Sequence, residues 1–204
     1  MYTKIVGTGS YLPKKVLTND DIAQLVDTND EWIRERTGIQ SRHIVEDETT
    51  VTMASMAAKD ALENANLQPE DIDLIIVATV SADNLLPSTA CSVQKELGAV
   101  NATAFDINAA CSGFLFALNT ADAYIKTGMY KNALLIGVET LSKIVDWNDR
   151  GTCILFGDGA GAAVVAASET PGILAGIQGA DGAGGDVLAV SYTHLRAHET
   201  AANL

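Results

Sequence analysis

Residues 102–128 read ATAFDINAACSGFLFALNTADAYIKTG, and the fold turns on how this stretch is interpreted. Ala104 to Ile107 has the composition of a short strand, and Asn108-Ala109-Ala110 is a run of small residues. A long helix is expected to begin at Cys111-Ser112-Gly113. Phe114, Leu115, Ala117, Leu118, Ala121, Tyr124 and Ile125, with few polar breaks, predict a helix buried on most sides. Cys111 then falls in the first turn, where unpaired N–H groups and the positive end of the helix dipole favour an anion. A thiol so placed is pushed toward the nucleophilic thiolate, and its small neighbours leave room for a substrate. The competing reading is a buried core cysteine, since free Cys is among the most buried residue types.

Working outward, the chain is 204 residues long, 48% hydrophobic and 19% charged, which suits a globular protein with a sizeable core. Its formal charge of −13 argues against nucleic acid or an anionic membrane as a partner. Any anion it binds has to meet a local basic spot. No signal peptide is read at MYTKIVGTGS, and no apolar run approaches a membrane span. Cys91, Cys111 and Cys153 form no CxxC pair and no even-numbered framework, so reduced thiols in the cytoplasm are expected.

Lys4 to Gly9 predicts a strand. Thr18-Asn19-Asp20-Asp21 signals a helix start, and DEWIRERT (30–37) predicts a second helix closed by Gly38. Trp32, Arg34 and Arg36, with Arg42 just beyond, either pack and solvate in the ordinary way or make a site for an aromatic phosphate ligand. Thr50 to Asn66 is an Ala- and Met-rich helix, and Asp73 to Val80 is a near-continuous apolar run of the kind buried on both faces of a parallel sheet. A loop at Leu85-Leu86-Pro87 leads through Ser88-Thr89 into a helix from Ala90 to Leu97, closed by Gly98. Ala133 to Val138 is a buried strand, and residues 147–152 are polar loop. FGDGAGA (156–162) is expected to be a tight turn, since it lacks both the GxGxxG spacing and the Lys-Ser/Thr of a phosphate loop. Ala163–Ala167 and Ile173–Gln178 are expected to be two late strands with no helix between them, which gives the sheet an antiparallel edge. The pattern is an α/β fold, a mostly parallel sheet with helices on both faces. His194 and His198 are four residues apart but lack further ligands, so no metal site is expected.

TNDEWIRERTGI, LLPSTACSVQ, DINAACSGFLFAL and DRGTCILFGDGAGAAV together resemble β-ketoacyl-acyl-carrier-protein synthase III, a condensing enzyme with the thiolase-like fold. The resemblance runs from Met1 to about residue 190 and implies an N-terminal half-domain over 1–190. The stretch 191–204, SYTHLRAHETAANL, resembles nothing in the family and is expected to be artefactual. By resemblance, Cys111 is the acyl-accepting nucleophile. Trp32 and Arg150 flank the adenine of coenzyme A, with Thr28 and Arg36 helping to hold it, and Leu86 lines an acyl pocket across a homodimer. Leu86 stands where the family often has an aromatic.

The implied reaction is a decarboxylative Claisen condensation. Cys111 takes an acetyl or other short acyl group from acyl-CoA, and malonyl-acyl carrier protein then loses carbon dioxide and attacks the acyl-cysteine. No cofactor is implied beyond the coenzyme A thioester itself. The resemblance also implies a second half that supplies a His, an Asn, an oxyanion glycine amide and the carrier-docking surface. Without that half the chain is expected to be incompetent alone. Two alternatives stand: a non-catalytic half-domain or interaction module, and a thiolase-fold condensing enzyme of secondary metabolism.

Overall fold

The computed structural model of the protein describes residues 1–184, 188–190 and 195–197. Its strands are β1 (Tyr2–Tyr11), β2 (Lys15–Thr18), β3 (Ser41–Ile44), β4 (Leu74–Ala78), β5 (Thr103–Ile107), β6 (Asn132–Thr140) and β7 (Asp158–Ser168). The α-helices are α1 (Asn19–Ala23), α2 (Asp30–Thr37), α3 (Thr50–Ala65), α4 (Thr89–Leu97), α5 (Gly113–Lys126) and α6 (Arg150–Cys153). A further antiparallel pair, β8 (Leu188–Val190) with β9 (Leu195–Ala197), follows. Apart from the β9 backbone, the tail 191–204 lies outside the described residues, as do His194 and His198.

The chain forms two compact units. One comprises Met1–Leu12, Asp47–Glu139 and Gly159–Gln178; the other comprises Pro13–Glu46, Thr140–Asp158 and the residues from Gly179 on.

The first unit is a five-stranded mixed sheet in the order β1-β7-β6-β4-β5. β4 runs parallel to both β5 and β6. All five residues of β4 are buried, as expected of a strand covered on both faces. On one face Leu74 and Ile76 pack with Ala117, Ala121 and Ile125 of α5 and with Leu135 and Val165. The opposite face follows from register. Gly7 and Gly9 pair with Val164 and Ala162, one and three positions away from Val165, so they point away from α5. There they meet α3: an added Cβ at Gly7 would lie 2.6 Å from the Ala65 nitrogen, and one at Gly9 would run into the backbone of Ala57 and Ala61. Helices therefore cover both faces.

Three expectations change. The antiparallel edge exists, but it is β1 against β7 rather than a pair of late strands. FGDGAGA is no tight turn: Asp158 to Ala162 is the start of β7, because its small residues pair in register with Ser10 and Tyr11. Ile173–Gln178 is not a strand; Ile173 donates to the Thr3 carbonyl, and the following residues make no ladder.

In the second unit β2 and β3 form an antiparallel pair, with α1 and α2 in the connection between them, Lys15 opposite Ile44 and Thr18 opposite Ser41. Ile22, Ile33, Val145, Cys153 and Ile154 make its core, flanked by Trp32 and Trp147. The expected helix signals hold here. Thr18 and Asn29 cap α1 and α2, and Gly38 closes α2 at φ 75°. Residues 147–152 are not all loop, since Asp149 caps the short helix α6.

Gly9→Ala should destabilise the chain by about 2–3 kcal/mol in urea unfolding, because rigid helix backbone rather than a flexible side chain blocks the new methyl. Gly161→Ala, which meets open space in the neighbouring strand, should change stability by less than about 0.5 kcal/mol.

Candidate active site

Parallel pairing brings the carboxyl ends of β4, β5 and β6 to one edge of the sheet, the usual place for a site in an α/β protein. Cys111 follows β5 at that edge. It does not begin the long helix as expected. It lies in a 3-10 turn, Ala110–Ser112, and α5 starts two residues later at Gly113. Ala110 adopts φ 45°, the left-handed region that a residue with a Cβ enters at a cost of about 1–2 kcal/mol. The strained residue turns the chain sharply and leaves Cys111 exposed. Gly113 is buried against Ala78 of β4, where an added Cβ would come within 3.1 Å of the alanine methyl.

Nor is α5 buried on most sides. Gly113, Ala117, Ala121 and Ile125 form a single buried stripe at i, i+4 spacing, and Leu115 is 59% exposed. Most of the remaining residues of α5 are half-buried: Phe114, Leu118 and Tyr124 pack at the edge of the core, and Gln178 donates to the Leu115 carbonyl.

The other two cysteines differ from Cys111. Cys91 is exposed on α4 with its sulfur 3.7 Å from the Ala104 carbonyl. Cys153 is buried; burial pushes its thiol above the ordinary value, Asp149 adds to this, and Arg42 opposes it. Leu86 stands 83% exposed in the loop before α4, beside an exposed Leu85.

Thr28, Trp32, Arg36 and Arg150 all belong to the second unit, and the structure brings them together. The Arg36 guanidinium carbon lies 4.3 Å from the centre of the Trp32 ring, and that of Arg150 lies 4.8 Å away. Arg150 also donates to the Asp27 carbonyl at 3.1 Å, next to Thr28, whose shielded hydroxyl has no partner among the described residues. Two cations on one indole, with an orphan hydroxyl beside them, suit a flat aromatic ligand that carries phosphate.

Arg34 and Arg42, grouped with Trp32 by sequence proximity, are elsewhere. Arg34 pairs with Asp30 on the exposed side of α2. Arg42 is buried and donates to the carbonyls of Leu17 and Ile154 and to the Asn19 side chain, and burial pushes its pKa down. It ties the β2–β3 pair to α1 and to the end of α6 and is not available to a ligand.

Sequence reasoning passed over Glu139. It lies near the end of β6, half-buried, and accepts hydrogen bonds from the Val80 N–H at 2.9 Å, from Thr79 Oγ1 at 3.5 Å and from Ser81 Oγ. Burial pushes its carboxyl up from the ordinary value, against the pull of Ser81, Val80 and Thr79. The readable signal was a lone acid directly after a buried apolar run. Among the described residues no group of three His, Cys, Asp or Glu is placed to hold a metal ion, and no helix is long and apolar enough to cross a membrane.

A mixed sheet with helices on both faces and a cysteine on a strained strand-to-helix turn defines a thiolase-like protein. The family model for 3-oxoacyl-[acyl-carrier-protein] synthase III matches residues 105–182. The β-ketoacyl-acyl-carrier-protein synthase III of Clostridium acetobutylicum is 55% identical over 94% of this chain and 59% of its own length. The solved synthase III of Aquifex aeolicus superposes with a TM-score of 0.94 at 55% identity, covering 96% of this chain and 64% of that one. The priming β-ketosynthase of the R1128 polyketide pathway gives 0.90 at 40% identity over 92% of this chain and 57% of that one. Along nearly its whole length the chain is similar to β-ketoacyl-acyl-carrier-protein synthases III, and it spans about three fifths of the length of these relatives.

Brief iodoacetamide treatment of the folded protein should alkylate Cys111 ahead of Cys91, with Cys153 modified only after unfolding. Peptide mass spectrometry reads the order; equal labelling of Cys91 and Cys111 would remove the special standing of the Ala110 turn.

Proposed function

We propose that this chain is the N-terminal, nucleophile-bearing part of an initiating condensing enzyme of type II fatty-acid synthesis. The observation that carries the reading is Cys111 itself, an exposed thiol on a left-handed turn at the carboxyl edge of a parallel sheet. The Cys111 thiolate attacks the carbonyl carbon of a short acyl-CoA, and coenzyme A departs as its thiolate, leaving an acyl-cysteine. The adenine and phosphates of coenzyme A are held by Trp32, Arg36, Arg150 and Thr28.

Malonyl-acyl carrier protein then loses carbon dioxide. The resulting enolate attacks the acyl-cysteine carbonyl, and the Cys111 thiolate leaves as the 3-oxoacyl product forms. No cofactor is required by these steps beyond the coenzyme A thioester. The partners are the acyl-CoA, malonyl-acyl carrier protein and a second copy of the chain, toward which Leu86 projects as an acyl-pocket residue. The setting is the cytoplasm.

The family's His, Asn and oxyanion glycine are assigned to the length of the relatives that this chain does not span. His43, the one histidine among the described residues, is tied to the Pro13 carbonyl at 2.6 Å and cannot stand in for them. On this reading residues 1–204 supply the acyl-accepting step, and condensation draws on those further groups. Each such enolate donor contributes a factor of about 100 to 1,000. The likeness to a polyketide priming enzyme keeps one second reading in view, a secondary-metabolism condensing enzyme, which a profile of accepted acyl-CoA chains separates.

Incubation with acetyl-CoA should add one acetyl group, on Cys111, as seen by intact-mass and peptide mass spectrometry. Malonyl-acyl carrier protein supplied in the same tube should yield no acetoacetyl product. Trp32→Ala should weaken coenzyme A binding by about 1 kcal/mol, the scale of an exposed cation–π contact. Condensation at the rate of an intact enzyme, or acetylation elsewhere than Cys111, would overturn this reading.

A further inference from the structure

Glu139 is a titratable group near the carboxyl edge that the proposed chemistry does not use. Its carboxylate gathers the three residues that follow β4: the Thr79 hydroxyl, the Val80 N–H and the Ser81 hydroxyl. Thr79 and Ser81 are themselves buried, at 7% and 8% exposure, so little water reaches their side chains as an alternative partner. The same segment touches the chain on both sides of Cys111. Thr79 donates its backbone N–H to the Ile107 carbonyl at 3.2 Å, four residues before the cysteine. Ala78, its immediate neighbour, is the surface on which Gly113 seats, two residues after the cysteine. Glu139 is also joined to α5 through β6, where a Cβ added at Gly137 would lie 3.4 Å from the Phe114 ring.

The Ala110 turn needs such support. Its left-handed alanine is strained, and Asn108, Ala110, Cys111 and Ser112 are all exposed. Besides its own bonds, Ser112 N–H to the Ala109 carbonyl and Gly113 N–H to the Ala110 carbonyl, the turn is held at its two ends, Ile107 and Gly113.

We propose that Glu139 is a positioning residue for Cys111, holding the Thr79–Ser81 segment so that the end of β5 and the start of α5 clamp the turn that presents the thiol. The proposal rests on the reading of Cys111 as the nucleophile. It concerns a residue that touches neither the thiol nor the acyl group. A carboxylate suits the task because both its oxygens accept, Oε1 from the Val80 N–H and Oε2 from the two hydroxyls; in Gln an NH2 donor stands at one of these places, so the amide cannot accept at both.

The test compares the wild-type chain with Glu139→Gln and Ser81→Ala, each removing part of the network with little change in volume. Alkylation of Cys111 and Cys91 is followed in the same sample, with Cys91 as internal standard, together with the thermal midpoint and hydrogen exchange of residues 79–81 and 110–114. The expected result is a loss of roughly tenfold in the Cys111 rate with the Cys91 rate unchanged, the scale on which a misplaced reacting group loses rate. Exchange should rise at both segments. An unchanged Cys111 rate in folded Glu139→Gln overturns the proposal. So does a parallel change at both cysteines with a fallen midpoint, which marks general destabilisation. If Glu139→Gln does not fold, Ser81→Ala carries the same comparison. The wild-type preference for Cys111 over Cys91 tests the nucleophile reading separately, so failure of one is distinguishable from failure of the other.

Discussion

Parallel pairing of β5, β4 and β6 is the constraint on which the first unit depends. It sends three chain segments off the same sheet edge, and each leaves backbone groups that the ladder no longer satisfies. Two acids meet that demand. Asp106, at the end of β5, accepts from the Thr89 and Ala90 N–H groups at 2.7 Å each and anchors the start of α4. Glu139 serves the residues after β4. The edge thus becomes a surface held by charge-assisted hydrogen bonds, with the cysteine turn set between fixed points.

The other constraint is how closely the layers approach. β1 carries Gly7 and Gly9 where α3 presents Ala57, Ala61 and Ala65, and the helix backbone sits nearly on the strand. Small residues on both sides also explain why β7, rich in Gly and Ala, pairs as a strand. Its long register with β1 compensates for the weak strand propensity of its residues.

Legibility in the sequence tracked side-chain signals. β4, α2, α3 and the Gly98 stop of α4 were readable, because apolar runs, caps and a left-handed glycine each carry a local cause. The Gly-Ala start of β7 had no such signal, since its conformation comes from its partner strand. α5 misled in the opposite way: its wide apolar coverage suggested burial on most sides, whereas only one stripe is fully buried, because local pattern cannot say how many neighbours a helix will have. In the candidate site, the residues around Cys111 left a reactive and a buried thiol both open, and the structure shows it exposed. Arg150 was not legible, because 118 positions separate it from Trp32 and only the resemblance paired them. Arg42 shows the converse, near Trp32 in sequence yet spent on carbonyl oxygens.

That division among the arginines bears on how an acidic chain could hold the anion of the proposed ligand. With a formal charge of −13, the far field repels a phosphorylated ligand, but at physiological salt such repulsion is screened beyond about 8 Å. Within that distance of Trp32 the local arrangement decides. Arg36 and Arg150 keep exposed guanidinium groups on the indole without a carboxylate partner among the ion pairs of the described residues, whereas Arg34 is paired with Asp30. A ring sliding onto Trp32 has to displace or share the position of Arg150, whose tie to the Asp27 carbonyl is a single hydrogen bond. In the proposed complex the displaced guanidinium would stay tethered beside the ligand, where it could meet a phosphate. Its cation–π attraction to the indole would then give way to a stronger, charge-assisted hydrogen bond to the anion.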